Sequence, residues 1–226
     1  MHMEQGIVSG IKLTLSYATA AGILAITAKA YLSELKQNNF FLTIIKTVIA
    51  TVLVFSFFEL MPHYPIGISE VHLILGSTLF LLFGIAPAAG GLAAGLLLQG
   101  LFFEPTDLPQ YGMNITTLLV PLFAMSFVAK KIIPQNIAYK EIKYTQALKL
   151  SLMYQGGIVA WVGFWSLYGH GFTVENLTEI LTFGIAYLSV ILVEPLIDLA
   201  VLSGAKSLVF MQNSKIFDFR LFNTVK

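Results

Sequence analysis

The chain contains no cysteine, so it holds no disulfide, thiolate metal site, iron–sulfur cluster or cysteine nucleophile. Charge is scarce as well. Only 13 basic and 12 acidic residues occur among 226, and charged residues make up 11% of the chain where a soluble domain carries about 25%. That excludes a disordered chain and a nucleic-acid binder with a basic face. The net charge of +1 points to no class of partner. There is no Gly-x-x-x-x-Gly-Lys-Ser/Thr, no His-Glu-x-x-His and no Gly-x-Ser-x-Gly, so neither a P-loop ATPase nor an intramembrane hydrolase is supported. Neither an enzyme nor a resident cofactor is expected. Apolar residues, by contrast, reach 57%, with a mean hydropathy of +0.80. Almost no water-soluble domain has that composition; it is that of a polytopic protein solvated by a lipid bilayer.

A membrane-crossing helix needs about 20 mostly apolar residues. Seven hydrophobic stretches stand out, at 7–32, 40–60, 71–83, 87–103, 115–133, 147–168 and 177–202. The third and fourth are short and only residues 84–86 separate them. They predict two short helices joined by a tight turn, or one broken element whose irregular backbone is buried in protein or lines a cavity. The start, Met-His-Met-Glu-Gln, lacks the basic region of a secretory signal and its hydrophobic stretch is too long, so Met1 is expected to be the mature terminus.

Lysine and arginine concentrate in cytoplasmic loops. Lys130, Lys131, Lys140, Lys143 and Lys149 lie in or beside the loop after the fifth stretch. Lys206, Lys215, Arg220 and Lys226 follow the seventh, and Lys29 and Lys36 flank the first loop. Seven crossings place all three regions on one side, taken as cytoplasmic, with the N-terminus outside. The expected fold is therefore all-α: one transmembrane helix bundle over 1–226 in the cell (inner) membrane, with a cytoplasmic tail at 205–226. The outer segments then hold Glu4, Glu70, Glu104, Asp107 and Glu175, with Glu59 and Glu179 just inside neighbouring helices and Lys12 as the sole nearby base. His2, His63 and His170 fall in outward segments, and His72 opens the third stretch from the outer side. Such a surface attracts cations.

Met1-His2 is the sharpest local feature. A free α-amine, the next peptide nitrogen and the His2 Nδ1 close fused five- and six-membered rings around one metal. Three nitrogens then lie in a plane, and a fourth completes a square-planar site suited to Ni(II) or Cu(II). Residues 1–6 read as a metal-binding segment, with Gly6 allowing a sharp bend. His72 is the natural fourth ligand, because a polar group at the edge of hydrocarbon is expensive and usually functional. Gln99 and Asn114 are placed to orient a metal ligand or to bond between helices; Asn114 can also cap a helix. Gln155 has the same choices of ligand support and interhelical bonding. Ala18, Gly22 and Ala25 share a face of the first helix, for internal packing or for another subunit, and Gly91 and Gly95 form a Gly-x-x-x-Gly. Glu194 and Asp198, four residues apart beside Pro195, point either to proton coupling or to a structural role with Asp198 reaching the interface.

Three parts of the sequence carry a resemblance: Met1-His2-Met3-Glu4-Gln5-Gly6, Val71-His72-Leu73-Ile74-Leu75-Gly76 followed by Gly84, and Leu96-Leu97-Leu98-Gln99 followed by Gly112-Met113-Asn114. They resemble the CbiM/NikM family, the membrane substrate-binding (S) components of energy-coupling factor transporters for cobalt and nickel. The resemblance covers roughly residues 1–133. It implies a metal held by the terminal amine and backbone nitrogen, the imidazole of His2 and that of His72. Met1, His2 and His72 are then the ligands, Ni(II) or Co(II) the transported ion, and a coupling membrane subunit and ATPase subunits the partners. The competing readings are a proton-coupled secondary transporter using Glu194 and Asp198, and a membrane scaffold in which every polar residue is packing.

Overall fold

The computed structural model describes residues 3, 6–59, 61, 64–207, 212 and 214–224. Helix dominates: α1 (Leu13–Gln37), α2 (Phe40–Glu59), α3 (Gly76–Phe83), α4 (Ile85–Phe102), α5 (Tyr111–Ile132), α6 (Tyr144–His170), α7 (Val174–Ser207) and the four-residue α8 (Phe219–Phe222). Between α2 and α3 lies a small hairpin, β1 (Tyr64–Ile66) and β2 (Ser69–Val71), paired antiparallel. Gly67 sits first in its two-residue turn at φ +62, a left-handed position that glycine adopts without steric cost. Among the described residues, five helical segments are long and apolar enough to cross a membrane: Gly10–Gln37, Phe40–Glu59, Ile85–Phe102, Pro105–Ile132 and Val174–Ser207. The α6 helix has the length, at 27 residues, and a more polar interior face carrying Ser151, Tyr154 and Gln155.

Contacts sort the connections onto two ends of the bundle. At one end Lys12 donates to the Tyr168 and Gly169 carbonyls, Tyr17 donates to the Pro109 carbonyl, and Phe55 packs on Phe103. At the other, Lys46 meets Glu34, Gln146 donates to the Ile132 carbonyl, and Lys206 bonds Glu141. Helices α1 to α7 alternate in direction between these ends. The third stretch is half helix. Irregular chain runs from His72 to Leu75, which has φ +55, and α3 supplies only eight residues. Four residues at about 3.3 Å each and eight at about 1.5 Å cover roughly 25 Å, close to the ~30 Å of a hydrocarbon core. Its irregular backbone is covered by protein, with His72, Ile74 and Leu75 all buried. Gly84 alone separates α3 from α4, at φ +85, so these are two helices joined by a tight turn.

Small residues let α4 press on α2. A methyl on Gly91 would stand 2.5 Å from the Ala50 Cβ, and one on Gly95 2.5 Å from a Val54 methyl. Gly91→Val is therefore expected to cost about 1–3 kcal/mol through overpacking, read as a lower unfolding temperature in detergent. Gly22→Ala should be silent, since nothing lies within 4 Å of its Cβ position. The latter also settles the stripe on α1: Ala18, Gly22 and Ala25 are exposed, and the face that packs inward is Ser16, Ala20, Ile23 and Thr27.

The tail folds back on the bundle. The Asp218 N–H donates to the Leu82 carbonyl at 2.7 Å, Phe217 stacks on Phe83, and the Arg220 guanidinium lies over the Tyr139 ring, 4.6 Å from its centroid. Arg220 also donates to the Pro134 and Ile137 carbonyls. Burial pushes the Tyr139 hydroxyl up to about 12, helped by the nearby Asp218 carboxyl.

Candidate metal centre

Strand β2 alternates its side chains between two faces, so residues two apart share one. His72 directly follows the strand, two residues after Glu70, and the Glu70 carboxylate accepts from the His72 Nε2–H at 2.8 Å. That bond selects the tautomer with its lone pair on Nδ1, the arrangement by which a carboxylate orients a metal-binding imidazole. His72 is 1% exposed, with the edge-on Phe58 ring 5.5 Å away and a hydrogen bond from its backbone to Tyr187. Neither this hairpin nor the pairing of Glu70 with His72 was among the expected features; the β-branched and aromatic residues flanking Gly67 are the signal that could have found the first, and the two-residue spacing the second.

The N-terminal segment is brought to the same place. Met3, buried at 1% exposure, forms an antiparallel β-bridge with Ser69, and its backbone N–H donates to the Asn114 Oδ1 at 3.2 Å. Ile7 and Val8 are buried too, and the Ile7 carbonyl lies so close to Gly169 that a methyl there would overlap it. Asn114 does not cap a helix. Gln110 holds the N-cap position of α5 and Asn114 lies inside the first turns, its amide turned to the incoming chain. Asn114→Ala is expected to lower metal affinity about 10–100-fold, the usual cost of losing a group that positions a ligand, measured by titrating Ni(II) into the purified chain.

Of the sequence-derived ligands, His72 sits at this junction; Met1 and His2, like His63, lie outside the described residues. Gln99 is buried on α4, where its backbone carbonyl accepts the Phe103 and Glu104 N–H groups at 2.8 and 3.0 Å. His170 is exposed at the C-terminal end of α6. Among the described residues no three His, Asp or Glu side chains gather into a metal cluster.

A second polar centre lies deeper. Glu194 and Asp198 are both 0% exposed; Ser77 on α3 bonds to both, Thr78 on α3 bonds to Asp198, and Ser151 and Gln155 on α6 bond to Glu194. Asp198 therefore does not reach the interface; hydroxyl donors inside the bundle hold it.

The family model for the cobalt uptake substrate-specific transmembrane region, CbiM, matches residues 2–208. The chain belongs to the CbiM family. Its fold is similar to that of a crystal structure of a transition metal transporter, with a TM-score of 0.67, 19% identity, and 96% of each chain covered. It is also similar to that of a truncated transition metal transporter, at a TM-score of 0.59 and 19% identity, covering 92% of this chain and 99% of that one. No curated protein sequence matches it. As a CbiM member the chain is a membrane component of metal uptake, a transport protein and not an enzyme.

Proposed function

We propose that this CbiM chain is the substrate-binding membrane component of an ATP-driven uptake transporter for Ni(II) or Co(II). The ion is chelated by the Met1 amine, the peptide nitrogen and imidazole of His2, and the imidazole of His72. The observation that carries this reading is the placement of Met3, fastened to Ser69 and Asn114 beside the strand that presents His72. A chain advances at most about 3.6 Å per residue, so a terminus two residues before Met3 is tethered close to that strand. Displacing an amide proton requires a strongly binding late transition metal, which favours Ni(II) over Mg, Ca or Mn; Co(II) enters through the family, whose description is cobalt uptake. The outer end supports cation capture: it carries Glu59, Glu70, Glu104, Asp107, Glu175 and Glu179, and the nearby Lys12 ammonium is engaged by two carbonyls.

In this reading the N-terminal end of the bundle faces outward and the lysine-rich end faces the cytoplasm of the cell (inner) membrane. A coupling membrane subunit and ATPase subunits supply the energy. The test is Ni(II) titration of the full chain in detergent, followed by its visible d–d spectrum. One tight site per chain with the yellow absorption of square-planar Ni(II) is expected. Weak binding with an octahedral spectrum overturns the nitrogen chelate and leaves His72 with outer carboxylates as the site.

A further inference from the structure

Two carboxylates buried in a membrane bundle with no cation beside them need an explanation. Among the described residues no lysine, arginine or histidine pairs with Glu194 or Asp198. Isolated buried charge is costly, and two like charges one helical turn apart compound that cost. The groups facing the pair are Ser77 and Thr78 from α3, Ser151, Tyr154 and Gln155 from α6, and Tyr187 from α7 itself.

Counting hydrogens shows that one is missing. The Ser77 Oγ stands 3.0 Å from Glu194 Oε1 and 2.8 Å from Asp198 Oδ2, both at hydrogen-bond distance. A hydroxyl carries one hydrogen. With both acids ionised, one of these two contacts would press lone pair against lone pair. A second shortage lies on α6. Gln155 is 0% exposed and donates through Nε2 to Glu194 Oε2 at 2.9 Å, while its Oε1 accepts from no described residue. The Gln155 amide N–H thus occupies Glu194 Oε2, and the carboxyl oxygen left to carry a proton is Oε1, the one that faces Ser77. The oxygens of Ser77, Ser151 and the two acids sit 2.8–3.0 Å apart. That spacing is hydrogen-bond contact; a metal ion needs a void with oxygens at about 2.3–2.6 Å from its centre.

We propose that Glu194 and Asp198 form a proton-binding site that shares one proton through the Ser77 hydroxyl. In one state the Glu194 O–H donates to Ser77 Oγ and the Ser77 O–H donates to Asp198. Transfer of both hydrogens along this line leaves Asp198 protonated, Ser77 unchanged and Glu194 ionised. One proton moves one helical turn along α7, one negative charge moves back, and no atom is lost. The two acids titrate as a pair. The site closes α3 onto α7 and α6 next to the irregular segment that carries His72.

Infrared difference spectroscopy of the purified chain in an ester-free detergent at neutral pH tests this. The wild-type spectrum minus that of the Glu194→Gln/Asp198→Asn double variant cancels every other acid. One carboxylic-acid carbonyl band, shifted in D2O, and one carboxylate band are expected, each with the area of a single group. Two carboxylate bands with no acid band, or two acid bands, overturn the proposal. Ser77→Ala removes one buried oxygen and serves if the double variant does not fold. It should move the acid band to higher wavenumber by taking away its hydrogen-bond partner, and an unmoved band overturns the relay.

Discussion

His72→Ala removes tight Ni(II) binding while the protein still inserts and purifies. The loss exceeds the ~10–100-fold expected for a group that only positions a ligand, because a nitrogen of the first coordination sphere is gone. The side chain is buried between the Phe58 ring and the Glu70 carboxylate, so no outside group can replace it without displacing that packing. Glu70→Gln is the matching control. It keeps the imidazole and removes the carboxylate that sets its tautomer, so it should weaken binding without abolishing it. His170→Ala should leave affinity unchanged, since that residue is exposed at the C-terminal end of α6 and lies in none of the three segments that carry the family resemblance. Unchanged Ni(II) retention by the His72 variant, measured as metal per chain after desalting, removes the proposed centre.

One residue added before Met1 abolishes the chelate with no side chain altered. The extension moves the amine and breaks the five-membered ring it closes with the next peptide nitrogen, whereas a site built from side chains would barely respond. A free amine must also lose its proton to bind, from a reference value near 7.7–8.0, as must the amide. Metal and protons then compete for the same nitrogens, and affinity falls by at least about a decade per pH unit as the pH is lowered towards 6. The sign is fixed: acid favours the proton, alkali the metal. An extended chain that binds Ni(II) as tightly as the native one, or an affinity flat with pH, removes the terminus from the ligand set.

The residues at the centre divide by how far each could be read from its neighbours alone. His72 was legible because an imidazole opening an apolar stretch is expensive, and the hairpin that presents it is the element that makes the expense bearable. Asn114 was legible as polar but not in its role, since a cap and an inward tether share the same residue type. Only the return of Met3, 111 positions away, distinguishes them. The pairing of Ser77 with Glu194 and Asp198 spans 117 and 121 positions. No local pattern encodes it.

Composition and hydrophobic run length by themselves determined a membrane-embedded helix bundle, because a backbone without water must satisfy its own hydrogen bonds and helices do so locally. Where the helices lie is equally local: each forms from bonds four residues apart, and α1 to α7 fall on the seven apolar stretches. Which faces touch was not local. Gly91 and Ala18 belong to similar small-residue stripes, yet one is pressed on α2 and the other is exposed. Only the tertiary structure chose between them, because lipid tails are as apolar as leucine. The choice therefore falls to close packing and buried polar bonds between segments distant in the chain.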